Sequence, residues 1–442
     1  AVHGAMAGYS GVTVGKVYER YVYLPIHAIT QQKGKRVHPK GRWFSRLIET
    51  TKQPDFSPDG FMPLSPTSTH TVNVLEALST AGNINNLLQT GDEIRRLEVI
   101  NLGDKFASAK VPNPAAGTGS TVYLNENSWS TQTFVRANKR DDRGHVYYQM
   151  LRSGPRQTLH FDPAKSAAVI VTCGGLCPGL NSVIREIVMT LGNYGVETVY
   201  GCIGGYKGMV HPDQWITLGP EVVKDIDKKG GTILVSDRGN PPHISIAKTL
   251  QSMSISQYFV IGGDGTQTGA FDTFTCTQQI GHEVAVVGVP KTIDNDINLL
   301  DRSFGFDSAM AQANNAIDVA YVEATCNANC IGLVKLMGRH CGWIAATATI
   351  AARHVDCCLI PEMNISLPKL CDYVLSVMRK KQYAVIVVAE GCGDTIISGG
   401  GETDAGGNKL LADVGPYLKD QLIDYCKAAG LPITIKYIDP TY

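Results

Sequence analysis

The stretch YFVIGGDGT, residues 258–266, joins a short apolar run to a loop that is rich in glycine. An apolar run of this length that ends in glycines is typical of a strand buried in a parallel sheet. The glycines let phosphate oxygens approach backbone N–H groups, and the start of a following helix adds positive potential there. The Asp264 carboxylate offers the kind of oxygen ligand that Mg²⁺ prefers. Taken alone, the loop fits a phosphate site and a tight capped turn equally well.

Short apolar runs that end in loops occur four more times, at residues 167–172, 284–289, 331–336 and 383–388. Helical patterns lie between them, and Asn181 or Ser182 is expected to cap the one that follows the first run. Continuous apolar strands that alternate with amphipathic helices indicate an α/β fold whose parallel sheets are covered on both faces. Such sheets place binding sites at the carboxyl ends of their strands, where every one of these loops falls.

Composition narrows the class of protein. The chain has 442 residues, of which 43% are hydrophobic, and 40 basic residues balance 40 acidic ones. A net charge of zero gives no general basic field, so we expect neither a nucleic acid partner nor a membrane partner. The apolar runs are shorter than a membrane span, and residues 1–6 lack the basic start of a signal peptide. Twelve cysteines without a CxxC pair predict buried thiols in a reducing compartment, the cytoplasm, rather than a zinc site.

The segment PKTIDND, residues 290–296, places two carboxylates two residues apart after a core strand. If the segment is extended, Asp294 and Asp296 point the same way, and such close like charges split in pKa unless a cation neutralises them. One aspartate can then act as a base towards a hydroxyl while the other assists a metal site. The alternative is a turn rich in Asx residues. The preceding strand and Lys291 favour chemistry.

Several other loop residues have both a chemical and an ordinary interpretation. Arg339, in Met337-Gly338-Arg339, can clamp a phosphate or form a salt bridge between elements. The loop CGGLCPGLN, residues 173–181, suits a phosphate or a tight turn. Arg238 fits a nucleotide contact or a solvated surface, and Glu390 fits a sugar hydroxyl or a helix cap. Lys436 and Tyr442 carry no signal by themselves.

In this order, the motifs GGLCPGLN, GGDGTQTGA, PKTIDND, KLMGRHCGWIA, AEG and KYIDPTY resemble those of 6-phosphofructokinases. The resemblance covers about residues 155–442 and is strongest to the ATP-dependent enzymes of plants and trypanosomatids, in the group shared with diphosphate-dependent enzymes. It implies two doubly wound, three-layer α/β domains with largely parallel sheets, an active site in the cleft, and an extension. It also implies a homo- or hetero-tetramer, ATP and Mg²⁺, and conversion of fructose 6-phosphate to fructose 1,6-bisphosphate, the committed step of glycolysis.

The resemblance assigns roles residue by residue. Asp294 corresponds to the base that takes the proton of the sugar 1-hydroxyl, Thr292 and Arg339 to stabilisers of the transferring phosphoryl group, and Asp264 to the magnesium residue. The ATP site corresponds to Gly174, Tyr206, Arg238, Gly263, Gly265 and Thr266. The fructose 6-phosphate site corresponds to Thr292, Asp294, Met337, Gly338, Arg339, Glu390, Lys436 and Tyr442.

Two positions bear on the phosphoryl donor. Diphosphate-dependent relatives carry aspartate where this chain has Gly265, and that side chain obstructs the ATP α-phosphate. Lys291 is the residue of the diphosphate enzymes, but the plant and trypanosomatid ATP enzymes combine this glycine with this lysine, so the resemblance favours ATP. Lys436 and Cys330 stand where bacterial relatives have arginines that reach a neighbouring subunit, which puts the bacterial pattern of phosphate binding and allostery in doubt.

The order of the chain departs from the family pattern. Residues 1–52 resemble the family's carboxyl-terminal end, and 53–160 resemble a linker and the amino-terminal extension. Residues 161–306 correspond to the ATP-binding large domain and 307–442 to the fructose 6-phosphate-binding small domain. The order is that of a circular permutation or of a slice from a tandem array. The piece between Tyr442 and Ala1 in family order would include an arginine used on the sugar phosphate.

Three other functions compete with an ATP-dependent 6-phosphofructokinase. A diphosphate-dependent enzyme differs only in its phosphoryl donor. A lipid or NAD kinase shares GGDGT but not the complete TIDND and MGR set. A catalytically silent regulatory subunit would bind sugar phosphate without turnover, although the presence of Asp264, Asp294 and Arg339 argues against it. A plastid or another organelle is the alternative compartment.

Overall fold

The structure is a computed structural model. It describes residues 1–31, 34–39, 41–56, 93–108, 110–114, 123–126, 128–134, 146–237, 239–397 and 411–440.

The strands of these residues are β1 Tyr9–Ser10, β2 Val12–Val17, β3 Arg20–Pro25, β4 Glu93–Arg96, β5 Ile100–Asn101, β6 Val111–Pro112, β7 Trp129–Phe134, β8 Val146–Arg152, β9 Thr158–Leu159, β10 Ala167–Thr172, β11 Thr198–Cys202, β12 Ile216–Thr217, β13 Gln257–Gly262, β14 Ala285–Pro290, β15 Cys330–Leu336, β16 Cys357–Leu359, β17 Tyr383–Ala389 and β18 Thr434–Ile438.

The α-helices are α1 Val2–Met6, α2 Ile26–Thr30, α3 Arg42–Thr51, α4 Leu180–Tyr194, α5 Gly205–Gly208, α6 Pro220–Val223, α7 His243–Ser252, α8 Asp264–Gln279, α9 Phe306–Cys326, α10 Trp343–Ala352, α11 Leu367–Lys381, α12 Gly393–Ile396 and α13 Val414–Ala428. Short 3-10 helices cover Leu102–Asp104, Pro163–Lys165, Pro212–Gln214, Ile226–Lys228 and Glu390–Cys392.

The chain forms two compact units. Unit 1 comprises the described parts of Ala1–Gly34, Thr69–Ile293 and Ile297–Gly305, and unit 2 those of Lys35–Ser68, Asp294–Asp296 and Phe306–Tyr442. The change of unit at Phe306 lies beside the predicted boundary between residues 306 and 307. The predicted segment 1–52 contributes to both units. The assignment of nucleotide and sugar to the two domains stays a prediction.

Unit 1 is built on a ten-stranded sheet in its described residues, in the order β12-β11-β10-β13-β14-β2-β3-β8-β4, with β7 also paired to β8. The five strands from β11 to β2 are parallel, and antiparallel pairs flank them. Because β10, β13 and β14 are parallel neighbours, their carboxyl ends lie at one edge, where Thr172 pairs with Ile261 and Gly262 with Pro290.

Both faces of this sheet are covered. Along β10, Ala168 and Ile170 belong to one hydrophobic cluster while Val169 and Val171 belong to another. Successive side chains of a strand point to opposite faces, so the two clusters lie on opposite sides of the sheet. This burial explains why the strand sequences are continuously apolar rather than alternating.

Unit 2 contains a four-stranded, wholly parallel sheet in the order β16-β17-β15-β18 within the described residues. Helices α9, α10, α11 and α13 pack against its strands. In this register Leu336 pairs with Ala389, so the loops that follow β15 and β17 begin side by side.

Residues 1–56 are integral to the fold. Strand β2 extends the parallel part of the unit 1 sheet by pairing with β14, and β3 continues it antiparallel to β2. In unit 2, the buried Gln53 side chain accepts from the backbone N–H of Cys358 at 2.7 Å and donates to the carbonyl of Val355 at 2.9 Å. The amino-terminal residues therefore supply sheet and core to both units.

The predicted α/β class with mostly parallel sheets is confirmed. The predicted cap of α4 is wrong, since the cap position is Gly179 at φ 94. Asn181 instead lies inside the helix, where its side chain donates to the carbonyl of Lys229 and accepts from the N–H of Ile233. Among the described helices, none combines the length and the apolar character needed to cross a bilayer.

Candidate active site

Most of the predicted site residues fall into two groups. We call the group at the ends of β10, β11, β13 and β14 in unit 1 the glycine-loop cluster: Gly174, Tyr206, Gly263, Asp264, Gly265, Thr266 and Lys291. We call the group at the ends of β15 and β17 in unit 2 the carboxylate cluster: Asp294, Asp296, Gly338, Arg339 and Glu390.

The loop after β13 needs its glycines for different reasons. A Cβ on Gly262 would lie 2.4 Å from the Thr266 side chain, so no larger residue fits there. A Cβ on Gly265 would meet no atom within 4 Å, so this exposed position faces open space. Asp264 begins the sixteen-residue helix α8. A long helix start beside open space is a physically suitable place for a phosphate.

The Lys291 side chain holds the loop after β10 by a hydrogen bond to its backbone. The lysine is buried, and its Nζ donates to the carbonyl of Gly175 at 2.6 Å. Its backbone N–H donates to the carbonyl of Gly262 at 2.9 Å, which ties the ends of β13 and β14 together. Gly174 has φ of 80 and would place a Cβ 3.4 Å from Lys291 Nζ. The Lys291 ammonium thus lies at the glycine loop and contacts its backbone.

Tyr206 stabilises the start of α8 by a hydrogen bond to the backbone of that helix. The buried phenol donates to the carbonyl of Thr266 at 2.6 Å. Burial raises the pKa of Tyr206 well above its usual value, so the hydroxyl stays protonated and remains a donor. The contact identifies a positioning role for a residue that the resemblance places in the ATP site.

A second anchor of this loop, Gln267, lies within the motif GGDGTQTGA, but the sequence analysis assigned it no role. The side chain is fully buried in α8, and its Nε2 donates to the carbonyl of Gly262 at 3.2 Å and to that of Val289 at 3.3 Å. These bonds satisfy carbonyls at the ends of two parallel strands. A buried polar residue in the first turn of the helix is the signal that could have identified it.

In unit 2, Asp294 occupies an environment that suits a base. Burial, followed by the neighbouring carboxylates of Asp296 and Glu390, raises the pKa of Asp294 to about 7. The backbone N–H of Arg339 donates to the Asp294 carboxylate, and the Arg339 charge opposes the rise. The two effects leave a carboxyl group that changes charge near neutral pH. Such a group can both accept and release a proton under working conditions.

The loops after β15 and β17 interlock around glycines. The backbone N–H of Gly338 donates to Glu390 Oε1 at 3.3 Å, and the N–H of Gly391 donates to the Gly338 carbonyl at 3.1 Å. Gly338 has φ of 132, and a Cβ on Gly391 would lie 2.3 Å from the Arg339 carbonyl. Burial raises the pKa of Glu390, while the Gly338 N–H opposes the rise. The interlock fixes Arg339 and Glu390 in one cluster.

The Asp294–Asp296 segment is not extended, which corrects the expectation from the sequence. Asn295 has φ of 55, a left-handed conformation that asparagine tolerates better than most residues. The segment turns, and the buried Cys341 thiol donates to the Asp294 carbonyl at 3.3 Å. Burial and the carboxylates of Asp296 and Glu390 still raise the pKa of Asp294. The predicted repulsion between Asp294 and Asp296 is therefore present, although the backbone conformation differs from the expected one.

Thr292 and Met337 belong to neither cluster. Thr292 belongs to unit 1, where its carbonyl accepts from the Ser303 hydroxyl. Met337 directly follows β15 and is half-buried. Arg238 and Tyr442 lie outside the described residues.

Glu362 is a residue that the sequence analysis did not single out. Its carboxylate accepts from the Gly342 N–H at 3.0 Å and from the Val37 N–H at 2.8 Å, and so anchors the end of the Arg339 loop.

Lys436 lies apart from the carboxylate cluster of its own chain. In β18 it pairs with Gly332, six residues before Gly338, and its ammonium lies 3.3 Å from Glu323 Oε2. The half-exposed Lys436 stands beside Cys330, whose pKa burial raises while the lysine opposes the rise. The two positions where bacterial relatives have arginines thus form one neighbourhood, with Glu323, away from Asp294.

Comparison with known proteins identifies the group to which the sequence belongs. Residues 167–431 match the family model described as Phosphofructokinase. "ATP-dependent 6-phosphofructokinase 7" of Arabidopsis thaliana is 45% identical over 75% of this chain and 68% of its own length. "ATP-dependent 6-phosphofructokinase" of Trypanosoma cruzi is 40% identical over 66% of this chain and 61% of its own length. The chain thus spans about two thirds of these relatives.

Among solved structures, a "Pyrophosphate-dependent phosphofructokinase" from Marinobacter aquaeolei aligns with 62% of this chain and 68% of its own, with a TM-score of 0.52. At 21% identity this likeness shows the fold alone. The resemblance to plant and trypanosomatid ATP-dependent enzymes is confirmed by the sequence relatives. The chain belongs to the phosphofructokinase family.

Proposed function

We propose that the protein transfers the γ-phosphoryl group of MgATP to the 1-hydroxyl of fructose 6-phosphate, giving ADP and fructose 1,6-bisphosphate. Family membership and the names of the ATP-dependent relatives support this kinase activity. The observation that carries the proposal is Asp294, a carboxyl group with a pKa raised to about 7 beside Arg339. A carboxyl group with a pKa near the working pH suits proton removal from an alcohol during phosphoryl transfer.

In this mechanism Asp294 takes the proton of the sugar 1-hydroxyl as that oxygen forms its bond to the γ-phosphorus. A base whose pKa lies near the working pH is about half ionised and still a strong acceptor, and general base catalysis of this kind contributes about 10²–10⁴-fold. The carboxylates of Asp296 and Glu390 raise the basicity of Asp294. Asp296 has the further predicted role of assisting the metal site.

Arg339 provides the positive charge that a transferring phosphoryl group requires, and Thr292 is proposed to add a hydroxyl donor. The loop interlock leaves Glu390 Oε1 bound to Gly338, while its other oxygen is available to a sugar hydroxyl. Met337 and Gly338 supply the remaining contacts in the proposed sugar site. Arg238 and Tyr442 keep their predicted roles, in the ATP and sugar sites respectively.

The glycine-loop cluster fits the triphosphate of ATP. Gly265 leaves open space beside the start of α8, and Gly174 and Gly263 keep the neighbouring backbone free of side chains. No group of three or more acidic, histidine or cysteine side chains within the described part of the chain could cage a metal ion. A single carboxylate, that of Asp264, together with substrate phosphates fits Mg²⁺, which usually keeps several waters. When bound, Mg²⁺ neutralises charge on the phosphates.

One observation bears on diphosphate as the alternative donor. Lys291 is the residue typical of diphosphate enzymes, and its ammonium lies at the glycine loop. That ammonium donates to the Gly175 carbonyl at 2.6 Å, so it contributes to the loop's own structure. An enzyme of either donor type can use such an anchor. The open position at Gly265 and the ATP-dependent relatives support ATP as the donor.

The test is formation of fructose 1,6-bisphosphate by this chain with MgATP and, in parallel, with magnesium diphosphate. We expect turnover with MgATP and at least tenfold less with diphosphate. Product from diphosphate alone would overturn the donor assignment. Binding of fructose 6-phosphate without turnover from either donor would support the silent regulatory subunit instead.

We also propose that the enzyme acts as a tetramer in the cytoplasm. The neighbourhood of Lys436 and Cys330, away from its own chain's Asp294, suits a contribution to the sugar-phosphate site of a second copy. Lys436→Ala should then raise the KM for fructose 6-phosphate about tenfold without lowering the melting temperature, since the exposed pair with Glu323 contributes little to stability. An unchanged KM, or a monomer by light scattering, would contradict this role.

The proposed compartment is the cytoplasm. Two plant relatives are named "chloroplastic", so fractionation of the source cells tests the compartment of this protein.

A further inference from the structure

Unit 1 contains a cavity of about 200 Å³ that belongs to neither cluster. Its lining includes Asn101, Gly103, Ser108, Thr158 and His160. Asn101 and Gly103 come from β5 and the 3-10 helix that follows it, Ser108 from the loop after that helix, and Thr158 and His160 from β9 and the residue after it. The lining thus combines these polar groups with the apolar side chains of Phe106 and Leu159, and it lies at none of the strand ends assigned to the proposed kinase site.

His160 joins a hydroxyl to a carboxylate at this cavity. The ring is buried, with 4% of its side chain exposed, and its Nε2 lies 2.7 Å from Glu283 Oε1. Its Nδ1 lies 2.9 Å from Ser108 Oγ. An ionised carboxylate can only accept, so the neutral ring carries its hydrogen on Nε2 and offers the lone pair of Nδ1 to the serine hydroxyl. This is the connectivity of a nucleophile, its base and the group that orients the base.

We propose that Ser108 is the nucleophile of a second reaction centre, an acyl-transfer site for small carboxylic esters. Ser108 Oγ forms a bond to the ester carbonyl carbon while its proton passes to His160 Nδ1. The bond to the leaving alkoxide then breaks, and the imidazolium returns the proton to that oxygen, releasing an alcohol. Water repeats the sequence on the acyl-serine and regenerates the hydroxyl with release of a carboxylic acid.

Asn101 supplies the donor for the developing oxyanion. Its Oδ1 accepts from the Gly103 N–H at 2.9 Å, which fixes the amide plane, and its Nδ2 makes no hydrogen bond to the described residues. A Cβ on Gly103 would lie 3.2 Å from Asn101 Oδ1 and 3.6 Å from His160 Nδ1. The glycine therefore leaves room between the amide and the base. A single side-chain amide in such a position can be worth about 10²–10³-fold.

The backbone holds the imidazole in place. Gly8 has φ of 87, and a Cβ on it would lie 2.8 Å from His160 Cβ and Cγ, so only glycine lets the chain pack this closely. The N–H of His160 donates to the Met6 carbonyl at 2.9 Å. A cavity of about 200 Å³ accommodates an acetyl or another short acyl group with its leaving group at the opening.

The experiment treats the full chain with a fluorophosphonate probe, maps the labelled peptide by mass spectrometry, and follows the burst of p-nitrophenolate from p-nitrophenyl acetate. We expect one label per chain, on Ser108, and loss of both label and burst in Ser108→Ala. Kinase activity and melting temperature should stay at their normal values in that variant. Absence of label from Ser108, or an equal burst in Ser108→Ala, would overturn the proposal.

Two further variants separate catalysis from structure. Ser130→Ala, in β7, removes a different half-buried serine and should leave labelling unchanged. Glu283→Gln keeps an acceptor for His160 Nε2–H but removes the charge that stabilises the imidazolium. We expect about tenfold slower labelling of Ser108 with an unchanged melting temperature. Labelling at the normal rate in Glu283→Gln would contradict the positioning role of Glu283.

Discussion

The glycine-loop cluster and the carboxylate cluster differ in how much space and how much negative charge surround their key residues. In unit 1 the useful feature is missing side-chain bulk, since a Cβ on Gly265 would meet nothing within 4 Å and α8 starts beside it. In unit 2 the useful feature is crowding, since burial and two carboxylates raise the pKa of Asp294 to about 7. Backbone and open space suit an anionic donor, whereas a crowded carboxyl group suits removal of a proton.

Asp294→Asn is the substitution with the largest expected effect, and it tests whether the two clusters have separate roles. An amide cannot take the proton of the sugar hydroxyl, so kcat should fall about 10²–10⁴-fold. The Kd for MgATP should stay within about twofold, because the proposed ATP contacts belong to the other cluster. Steady-state kinetics and calorimetric titration measure the two quantities.

The matched control is Asp420→Asn, an exposed carboxylate on α13. That change should leave kcat and ATP affinity unaltered. Normal turnover in Asp294→Asn would remove Asp294 as the base, and a parallel loss of ATP binding would show that the two clusters are not separable.

Gly265→Asp tests the open space of the glycine-loop cluster. The new side chain has room, but its charge would face the phosphates, and such like-charge contacts cost several kcal/mol. We expect kcat/KM for ATP to fall about 100-fold with little change in the KM for fructose 6-phosphate. Gly265→Ala is the control and should stay within about threefold, because the methyl group meets nothing. Equal losses in both variants would indicate a steric effect and contradict the electrostatic interpretation.

The crowding around Asp294 also predicts how stability depends on pH. The folded-state pKa lies above the unfolded value of about 3.9, so folding opposes ionisation, and this cost grows as pH rises from about 4 and levels off above about 7. Asp294→Asn removes the cost. Its advantage in free energy of unfolding should therefore increase by about 2 kcal/mol between pH 5 and pH 8, allowing for partial exposure.

Urea unfolding of the wild type and Asp294→Asn at both pH values provides the measurement. An advantage that shrinks as pH rises would mean that Asp294 is stabilised in its charged form, contrary to the crowding described.

The smallest effect concerns the support of the glycine-loop cluster. Tyr206→Phe removes one buried hydrogen bond to Thr266, which should lower the free energy of unfolding by about 1 kcal/mol and raise the KM for ATP less than tenfold. Tyr21→Phe, on an exposed side chain, is the control and should change neither. A large loss of ATP affinity with unchanged stability would assign Tyr206 to direct contact with the nucleotide instead.

Local patterns in the sequence predict the parts of this structure that depend on near neighbours. The helical patterns of the sequence over residues 307–324 and 414–429 coincide with α9, Phe306–Cys326, and α13, Val414–Ala428. The loops after β10, β13 and β15 follow from apolar runs that end in glycine. These features depend on spacing within about ten residues, which a single sequence displays directly.

Features that depend on distant residues were not predictable in the same way. The pKa of Asp294 depends on Glu390 and Arg339, which are remote in the chain, and the turn at Asn295 replaces the expected extended segment. Gln267 and Glu362 act as anchors only because tertiary structure brings backbone groups to them. The link from Ser108 through His160 to Glu283 joins three segments that share no motif.

The most direct test of the account is the pH dependence of kcat/KM for fructose 6-phosphate in the wild type and in Asp296→Asn. Ionisation of the substrates affects both proteins alike, so a difference between the two profiles reports on the enzyme's own group. We predict a rising limb centred near pH 7 in the wild type and at lower pH in Asp296→Asn, because the Asp296 charge helps to raise the pKa of Asp294. Coincident limbs, or a wild-type rate that is flat from pH 5.5 to 8, would contradict the assignment of Asp294 as a base tuned by its neighbours.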